Sequence, residues 1–259
     1  MIVTTKEDLE SLKEIGHICA LARDEMAKAT KVGITTLELD MIGKKILEDH
    51  GAMSAPIGEY DFPGYTCISI NDVVAHGIPS EYKIKEGDKV NIDVSASKNG
   101  FFGDTGLTLN VPPTTEKQDL LKKVAKEAMY KSIEKAVPGT MSNNLGRAIF
   151  NESRKHGFNV IRNLTGHGVG KSLHDNPENI FNYNERRGAV LLKEGHVLAI
   201  ETFISEKDDY VEEYEDGWTL KTPNLNHVYQ FEHTVVVTSD GPLILTLGEE
   251  DDFFDPFED

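Results

Sequence analysis

An internal duplication constrains this chain more tightly than any local propensity. Val32-Gly33 precedes a helical stretch that ends at His50-Gly51, and Pro138-Gly139 precedes another that ends at His156-Gly157, with 17 residues from Gly to His in both and an offset of 106. Further on, Lys85-Glu86-Gly87 runs into Val90-Asn91-Ile92-Asp93, and Lys193-Glu194-Gly195 runs into Leu198-Ala199-Ile200-Glu201, at an offset of 108. Two matches in the same order at nearly one spacing point to two halves, about 1–112 and 115–248, with the same succession of helices and strands. In both copies the first strand of the matched pair carries an acid, Asp93 or Glu201.

The local signals agree with this plan. Thr5-Lys6-Glu7-Asp8 reads as a capping box ahead of Leu9, Leu12, Ile15 and Ile18, which share one broad helical face. Thr36 is expected to cap a second helix carrying Leu39, Ile42 and Ile46, stopped by Gly51. In the second half Leu120, Leu121, Val124, Ala128 and Ile133 form a similar stripe, closed by Pro138-Gly139. Strands are expected at Cys67 to Ile70, Lys89 to Ala96, Phe101 to Val111, Val197 to Ile204 and Tyr229 to Thr238. Helices thus accompany antiparallel hairpins in each half, an α+β architecture with a pseudo-twofold whose natural ligand site is the seam between the two sheets. With no Pro- or Ser-rich linker, the expectation is one compact domain over 1–248 and an acidic tail over 249–259.

Charge narrows the function. Among 259 residues, 27 basic side chains face 44 acidic ones, a net charge of −17 that repels nucleic acid and anionic membranes. Cys19 and Cys67 cannot make a disulfide framework, the N-terminus lacks a targeting pattern, and no apolar run approaches the ~18 residues of a membrane span. These features predict a cytoplasmic protein. Part of the acidity is local: Glu206 to Asp216 holds seven acids against one Lys, and Glu249 to Asp259 holds seven and no base. The second stretch, with Phe253, Phe254 and Phe257, reads as a disordered solvating end whose removal leaves turnover unchanged.

The acids of the hairpins converge. If Ala96 pairs with Phe101 across Ser97-Lys98-Asn99-Gly100, Asp93 and Asp104 stand directly opposite on one face. A type I′ turn at Asn99-Gly100 shifts the register by one pair and makes them diagonal neighbours on that face. In the other half, the two-residue turn Asp216-Gly217 would set Glu201 opposite Glu232. Four carboxylates brought together repel one another, and burial without partners would keep several protonated. Two divalent cations would balance them, and paired metals are a known catalytic arrangement. The alternative is four solvated acids on exposed hairpin faces, which the duplication and the flanking Ile92, Ile200 and Phe231 disfavour.

Histidines on Gly-flanked loops add donors: His76 in Val74-Ala75-His76-Gly77-Ile78-Pro79, His167 in Thr165-Gly166-His167-Gly168-Val169-Gly170, and His174 seven residues later. His50 and His156, each before a Gly at a helix end, are assigned to the helix dipole. No Gly-x-Ser-x-Gly elbow, His–Cys pair, Walker A loop or dinucleotide fingerprint competes. A metal-activated water is the hydrolytic option left, and a carboxylate-rich donor set suits Mn, Fe or Co better than a Cys-based structural Zn.

Seven segments, Cys67-Ile68-Ser69-Ile70-Asn71, His76-Gly77-Ile78-Pro79, Asn91-Ile92-Asp93, Asp104-Thr105-Gly106, Thr165 to Gly170, Ala199-Ile200-Glu201 and Glu232-His233-Thr234, together resemble the type I methionine aminopeptidases over about residues 1–248. The resemblance implies the duplicated pita-bread fold and removal of the initiator Met from nascent chains with a small second residue. It implies two divalent metals (Mn, Fe or Co, with Zn a further option), Asp104 and Glu232 bridging, Asp93 completing one site, and His167 and Glu201 completing the other. Glu201 would be general base and acid, His76 and His174 would touch the substrate, and Cys67, Phe62 and Trp218 would form the Met pocket. A monomer working on nascent N-termini near the ribosome is also implied. Thr202 stands where the family usually has Pro, and Gly58-Glu59-Tyr60-Asp61-Phe62 departs from the usual run at the pocket rim. The span from His174 to Glu201 leaves no room for the helical insertion of type II enzymes.

Two rivals share the fold. An X-Pro dipeptidase would normally carry an extra N-terminal domain, and a metal-free binding module would have lost ligand positions that are intact here.

Overall fold

The computed structural model describes residues 1–248 and 253–257. Helices α1 (Lys6–Ala29), α2 (Thr36–Asp49) and α3 (Ala55–Tyr60) precede the first hairpin, and α4 (Glu116–Ile133) and α5 (Asn143–Lys155) precede the second. The strands of the first half are β1 (Met53–Ser54), β2 (Cys67–Ile70), β3 (Val73–Ala75), β4 (Lys89–Lys98) and β5 (Phe101–Asn110). Those of the second are β6 (Asn159–Val160), β7 (Thr165–Gly168), β8 (Asp175–Phe181), β9 (Val197–Ser205), β10 (Glu212–Glu213), β11 (Leu220–Lys221), β12 (Val228–Val236) and β13 (Leu243–Ile244).

One large antiparallel sheet runs β1-β4-β5-β12-β9-β7-β8, with β2 on β4, β6 on β9 and β13 on β12, while β10, β11 and β3 form a small second sheet. The halves join where β12 pairs with β5, Glu232 opposite Gly106 and His233 opposite Thr105. On one face of the sheet α1 packs over β4 and β5, and α4 packs over β9 and β12. Leu12, Ile15, Cys19, Ala22 and Met26 recur at helical spacing along α1 and are all fully buried. Burial of each large aliphatic chain contributes about 1.5–3 kcal/mol, so this face rather than intrinsic propensity holds the helix in place.

The duplication is visible in the backbone. Gly33 and Gly139 have φ of 93° and 85°, and Gly87 and Gly195 have φ of 82° and 84°. His50 and His156 are C-caps with the same φ of −98°. Isolated bridges Thr35↔Lys83 and Met141↔Leu191 correspond as well. Both cap histidines are occupied structurally, His50 Nδ1 on the Ile46 carbonyl at 2.9 Å and His156 Nε2 on Glu152 at 3.1 Å.

Three local expectations need correction. The cap of α2 is Thr35, which makes a reciprocal capping box with Glu38, whereas Thr36 is already helical and donates its hydroxyl to the Ser80 carbonyl. Helix α4 ends at Ile133, before Pro138-Gly139. The described part of the acidic tail, residues 253–257, packs its three Phe rings against the core rather than trailing in solvent, while 249–252 and 258–259 lie outside the described residues. Among the described residues no helix is long and apolar enough to cross a membrane.

Candidate active site

The hairpin β4-β5 places its two acids by the diagonal register. Asn99 and Gly100 have φ of 53° and 76°, the positive pair of a type I′ turn, and Lys98 pairs with Phe101. Asp93 therefore faces Gly106 and Asp104 faces Ser95, so the directly opposed pairing is replaced by its one-pair shift, with both acids on the same face. In the second half Glu201 lies directly opposite Glu232. The same register holds from the distal arms, where Glu212 faces Lys221, down to Val197 opposite Val236. The two-residue turn expected at Asp216-Gly217 is instead a four-residue loop, closed by the Tyr214 amide on the Thr219 carbonyl at 2.8 Å, with only Gly217 at positive φ; its centre is unchanged, so β10-β11 and β9-β12 keep a single frame.

The β5-β12 pairing then brings the two pairs together. Asp104 is 6 %, Glu201 9 % and Glu232 1 % exposed. The Asp104 amide donates to Thr234 Oγ1 at 2.9 Å, and that hydroxyl donates to the Asp104 carbonyl at 2.8 Å. Gln230 donates to Glu232 Oε2 at 3.0 Å and is itself held by Asn91 at 2.8 Å. This arrangement needs Gly106: a Cβ there would lie 2.3 Å from Gln230 Oε1. Asp104 Oδ1 and Glu232 Oε1 are buried with no hydrogen-bond partner. Burial raises the pKa of all four acids, with mutual repulsion adding to it at Asp104, Glu201 and Glu232; Asp93 is pushed up to about 7.

His167 enters from β7, where it pairs with Ala199 of β9. Its Nδ1 lies 2.9 Å from the Gly168 carbonyl, an acceptor only, so Nδ1 carries the proton and Nε2 presents a lone pair to the acids. Nε2 stands 3.7 Å from Asp104 and 3.9 Å from Glu201. Burial holds the imidazole pKa down to about 3, so the ring is neutral. Gly168 is required for this fit, since a Cβ on it would meet the Asn176 carbonyl oxygen at 2.2 Å. Asp104, His167 and Glu232 each offer one donor atom within 4.8 Å of one another.

A cavity of about 450 Å³ opens above these acids. Phe62, Cys67 and Trp218 line it, with the Phe62 and Trp218 rings edge to face at 5.3 Å. Cys67 sits across from Asp93 on the neighbouring strand, and burial pushes its thiol pKa well up, so it is an apolar wall rather than a nucleophile. His76, with φ of 54°, and His174 stand at the rim with exposed faces, and burial of the remainder lowers both pKa values. The His174 ring lies 4.2 Å from that of His167. A buried cluster of acids, one neutral imidazole and an apolar cavity can take a positively charged N-terminus with an apolar first side chain beside hydrolytic machinery.

Residues 10–239 match Metallopeptidase family M24. The chain belongs to that family. It is 51 % identical over 247 residues to "Methionine aminopeptidase 2" of Bacillus subtilis (strain 168), covering 95 % of this chain and 99 % of the relative. The solved methionine aminopeptidase of Thermotoga maritima superposes with a TM-score of 0.91 at 36 % identity, covering 95 % of this chain and 99 % of that one. The prolidase from Pyrococcus furiosus reaches a TM-score of 0.75 at 26 % identity, with 96 % of this chain covered but only 66 % of the prolidase. The chain's place in the M24 family is thus among the methionine aminopeptidases, and its fold is the duplicated pita-bread fold expected from sequence.

All five acid and imidazole donors expected from sequence, Asp93, Asp104, His167, Glu201 and Glu232, line one cavity, together with His76, His174, Cys67, Phe62 and Trp218. His167 lies on a strand rather than a loop, because three glycines in six residues hide the period-2 signal that side chains would give. Sequence reasoning passed over Phe203, and it named Tyr60 at the rim without its contact to His174. Phe203 was within reach, since it lies two residues from Glu201 on β9 and faces the same way. Tyr60 closes the rim with its hydroxyl 2.5 Å from His174 Nδ1, a contact between segments 114 residues apart. Thr202, in place of the family's usual Pro, points away from the cavity and donates to the Ala125 carbonyl of α4 at 3.1 Å.

Proposed function

We propose that this chain is a metal-dependent methionine aminopeptidase that removes the initiator Met from polypeptides with a small second residue. The observation that carries the metal reading is the pair of orphaned buried oxygens, Asp104 Oδ1 and Glu232 Oε1, among four acids whose pKa values burial raises. Buried unpartnered carboxylates cost several kcal/mol per ion, and protons or cations must relieve them. The donor set fits hard or borderline divalent ions such as Mn, Fe or Co, with Zn a further option, and contains no thiolate within the cluster. Asp93, Asp104 and Glu232 would hold one ion, and Asp104, His167, Glu201 and Glu232 the other. When bound, the ions supply Lewis acidity toward a water and a carbonyl.

The chain's own groups do the rest. Glu201, opposite Glu232 and 3.9 Å from His167, takes the proton of the attacking water at its carboxylate and later delivers it to the departing amine nitrogen. His76 and His174 face the scissile amide and its carbonyl oxygen from the rim, where donors act most strongly as charge develops. Phe62, Cys67, Phe203 and Trp218 exclude water around the Met side chain. The protein acts on its substrates as a monomer in the cytoplasm, on N-termini emerging near the ribosome. Prolidase-type action on X-Pro dipeptides is the second reading, favoured by the shared fold alone.

Replacing Glu201 by Gln separates binding from chemistry. The variant is expected to take up Mn2+ while turnover of a Met-Ala-Ser peptide falls by about 10²–10⁴, the range of general acid–base catalysis. Turnover within a few-fold of the parent, with metal bound, would remove Glu201 from its assigned role.

A further inference from the structure

The strand that carries Glu232 is gripped from its other face by the C-terminal segment. Alternation on β12 turns Phe231 and His233 away from the cavity, toward the helix layer. Phe253 stacks on the His233 ring, centroids 4.4 Å apart and planes 13° from parallel, and meets Phe231 edge to face at 5.2 Å. The Arg23 guanidinium lies over the Phe253 ring, 4.5 Å from its centroid. Arg23 is fully buried, donates to Thr105 Oγ1 at 2.6 Å, and Thr105 donates to the Glu232 carbonyl at 2.9 Å. Arg23 also donates to the Thr246 carbonyl at 3.0 Å, and Thr246 Oγ1 bonds His233 Nδ1 at 2.8 Å. Phe253 therefore covers Arg23 and His233, the side chains that tie the backbone around Glu232 to α1 and to Thr246, just past β13.

The rest of the segment is anchored by charge. Asp255 pairs with Lys122 of α4, Lys28 of α1 lies over the Phe254 ring at 5.3 Å, and Lys126 approaches Phe253 at 5.7 Å. Phe253, Phe254 and Asp255 form one wall of a cavity floored by Leu107, Leu109 and Phe231 and edged by Lys122 and Lys126, with Asp119 and Glu127 also on its lining. Aromatic pairs and desolvated cation–π contacts stabilise beyond the apolar area they bury. Asp255 thus meets a lysine of α4, and the Phe253 ring meets the rings of Phe231 and His233.

We propose that residues 253–257 form a C-terminal clamp in which Phe253 is a positioning residue: seated on His233 and Phe231, it fixes β12 from behind and raises the affinity of the Glu232 site for divalent cations. The proposal rests on the reading of Glu232 as a metal ligand. Coupling of this kind is reciprocal, so bound metal should also hold the segment down.

The test uses the full chain with Phe253→Ala, Phe253→Trp and Asp255→Asn. Mn2+ affinity is measured by calorimetry, and melting temperature is measured with and without Mn2+. Phe253→Ala is expected to raise the Mn2+ Kd about 5-fold or more, within the usual range of coupling between sites, and to shrink the stabilisation by Mn2+. Phe253→Trp should restore both, and Asp255→Asn should move both in the same direction by less. A purely structural role would lower melting equally with and without Mn2+ and leave Kd unchanged, which overturns the clamp. If Phe253→Ala does not fold, an unchanged Kd in Asp255→Asn has the same force. A parent chain that takes up no Mn2+ overturns the metal reading itself, and the clamp with it.

Discussion

Asp104 and Glu232 each keep one oxygen buried without a partner, and the remaining donors around them are acids or a neutral imidazole. The consequence for stability can be worked out by sign. Carboxyls whose pKa burial raises bind more protons folded than unfolded, so stability falls as pH climbs from their unfolded values of about 4 through their folded ones. His76, His167 and His174 have lowered pKa values and oppose this, but only below their unfolded value of about 6.5. Lys89, fully buried and held down to about 7, opposes it above that value, one group against the four acids whose pKa burial raises. Between about pH 6.5 and 8 the melting temperature of chelator-treated protein should therefore fall, and saturating Mn2+ should remove the fall, since cations replace the protons. A melting temperature that stays flat or rises in chelator would contradict the raised carboxyls.

At the scale of elements, the hairpin turns decide where the acids go. Gly100, at φ 76°, has nothing within 4 Å of a built Cβ, so Gly100→Ala tests backbone conformation alone. It should cost about 1–2 kcal/mol in urea denaturation, whereas Gly58→Ala, in α3 with open space and no positive φ, should be neutral or better. Equal effects at the two positions would mean that the type I′ turn is not strained by a side chain. The same turn shows what was legible in advance. Asp93 and Asp104 could be placed on one face from period 2 alone, but whether they were opposed or diagonal hung on two φ angles at Asn99 and Gly100. Glu201 and Glu232 were placed to the residue although the turn is a four-residue loop closed by the Tyr214 amide on the Thr219 carbonyl, because a loop centred on Asp216-Gly217 keeps the same frame as the two-residue turn expected there. The strand around His167 was hidden by glycines, and Thr35 was passed over for Thr36 because either hydroxyl could cap and only Glu38 at the right spacing distinguishes them. The tail was read by its charge, which describes its acids and not its three Phe rings; the surface that receives them is assembled from α1, α4, β5 and β12, distant in sequence.

The whole molecule is a seam with a helix layer behind it. Two halves that each supply a pair of acids meet at β5 and β12, so the site exists only when both halves are folded and docked. That layout is shared with prolidases, and it explains why fold alone does not choose between Met-terminal peptides and X-Pro dipeptides. Phe62 and Trp218 line an apolar slot beside Cys67, the walls to which the proposed function assigns the Met side chain. The most direct test strips the protein with chelator and assays one sample on Met-Ala-Ser and on Leu-Pro before and after Mn2+ is returned. The account predicts that Mn2+ restores release of Met from the tripeptide and leaves Leu-Pro intact. Restored cleavage of Leu-Pro without the tripeptide, or turnover of the tripeptide that chelation never abolished, would contradict it.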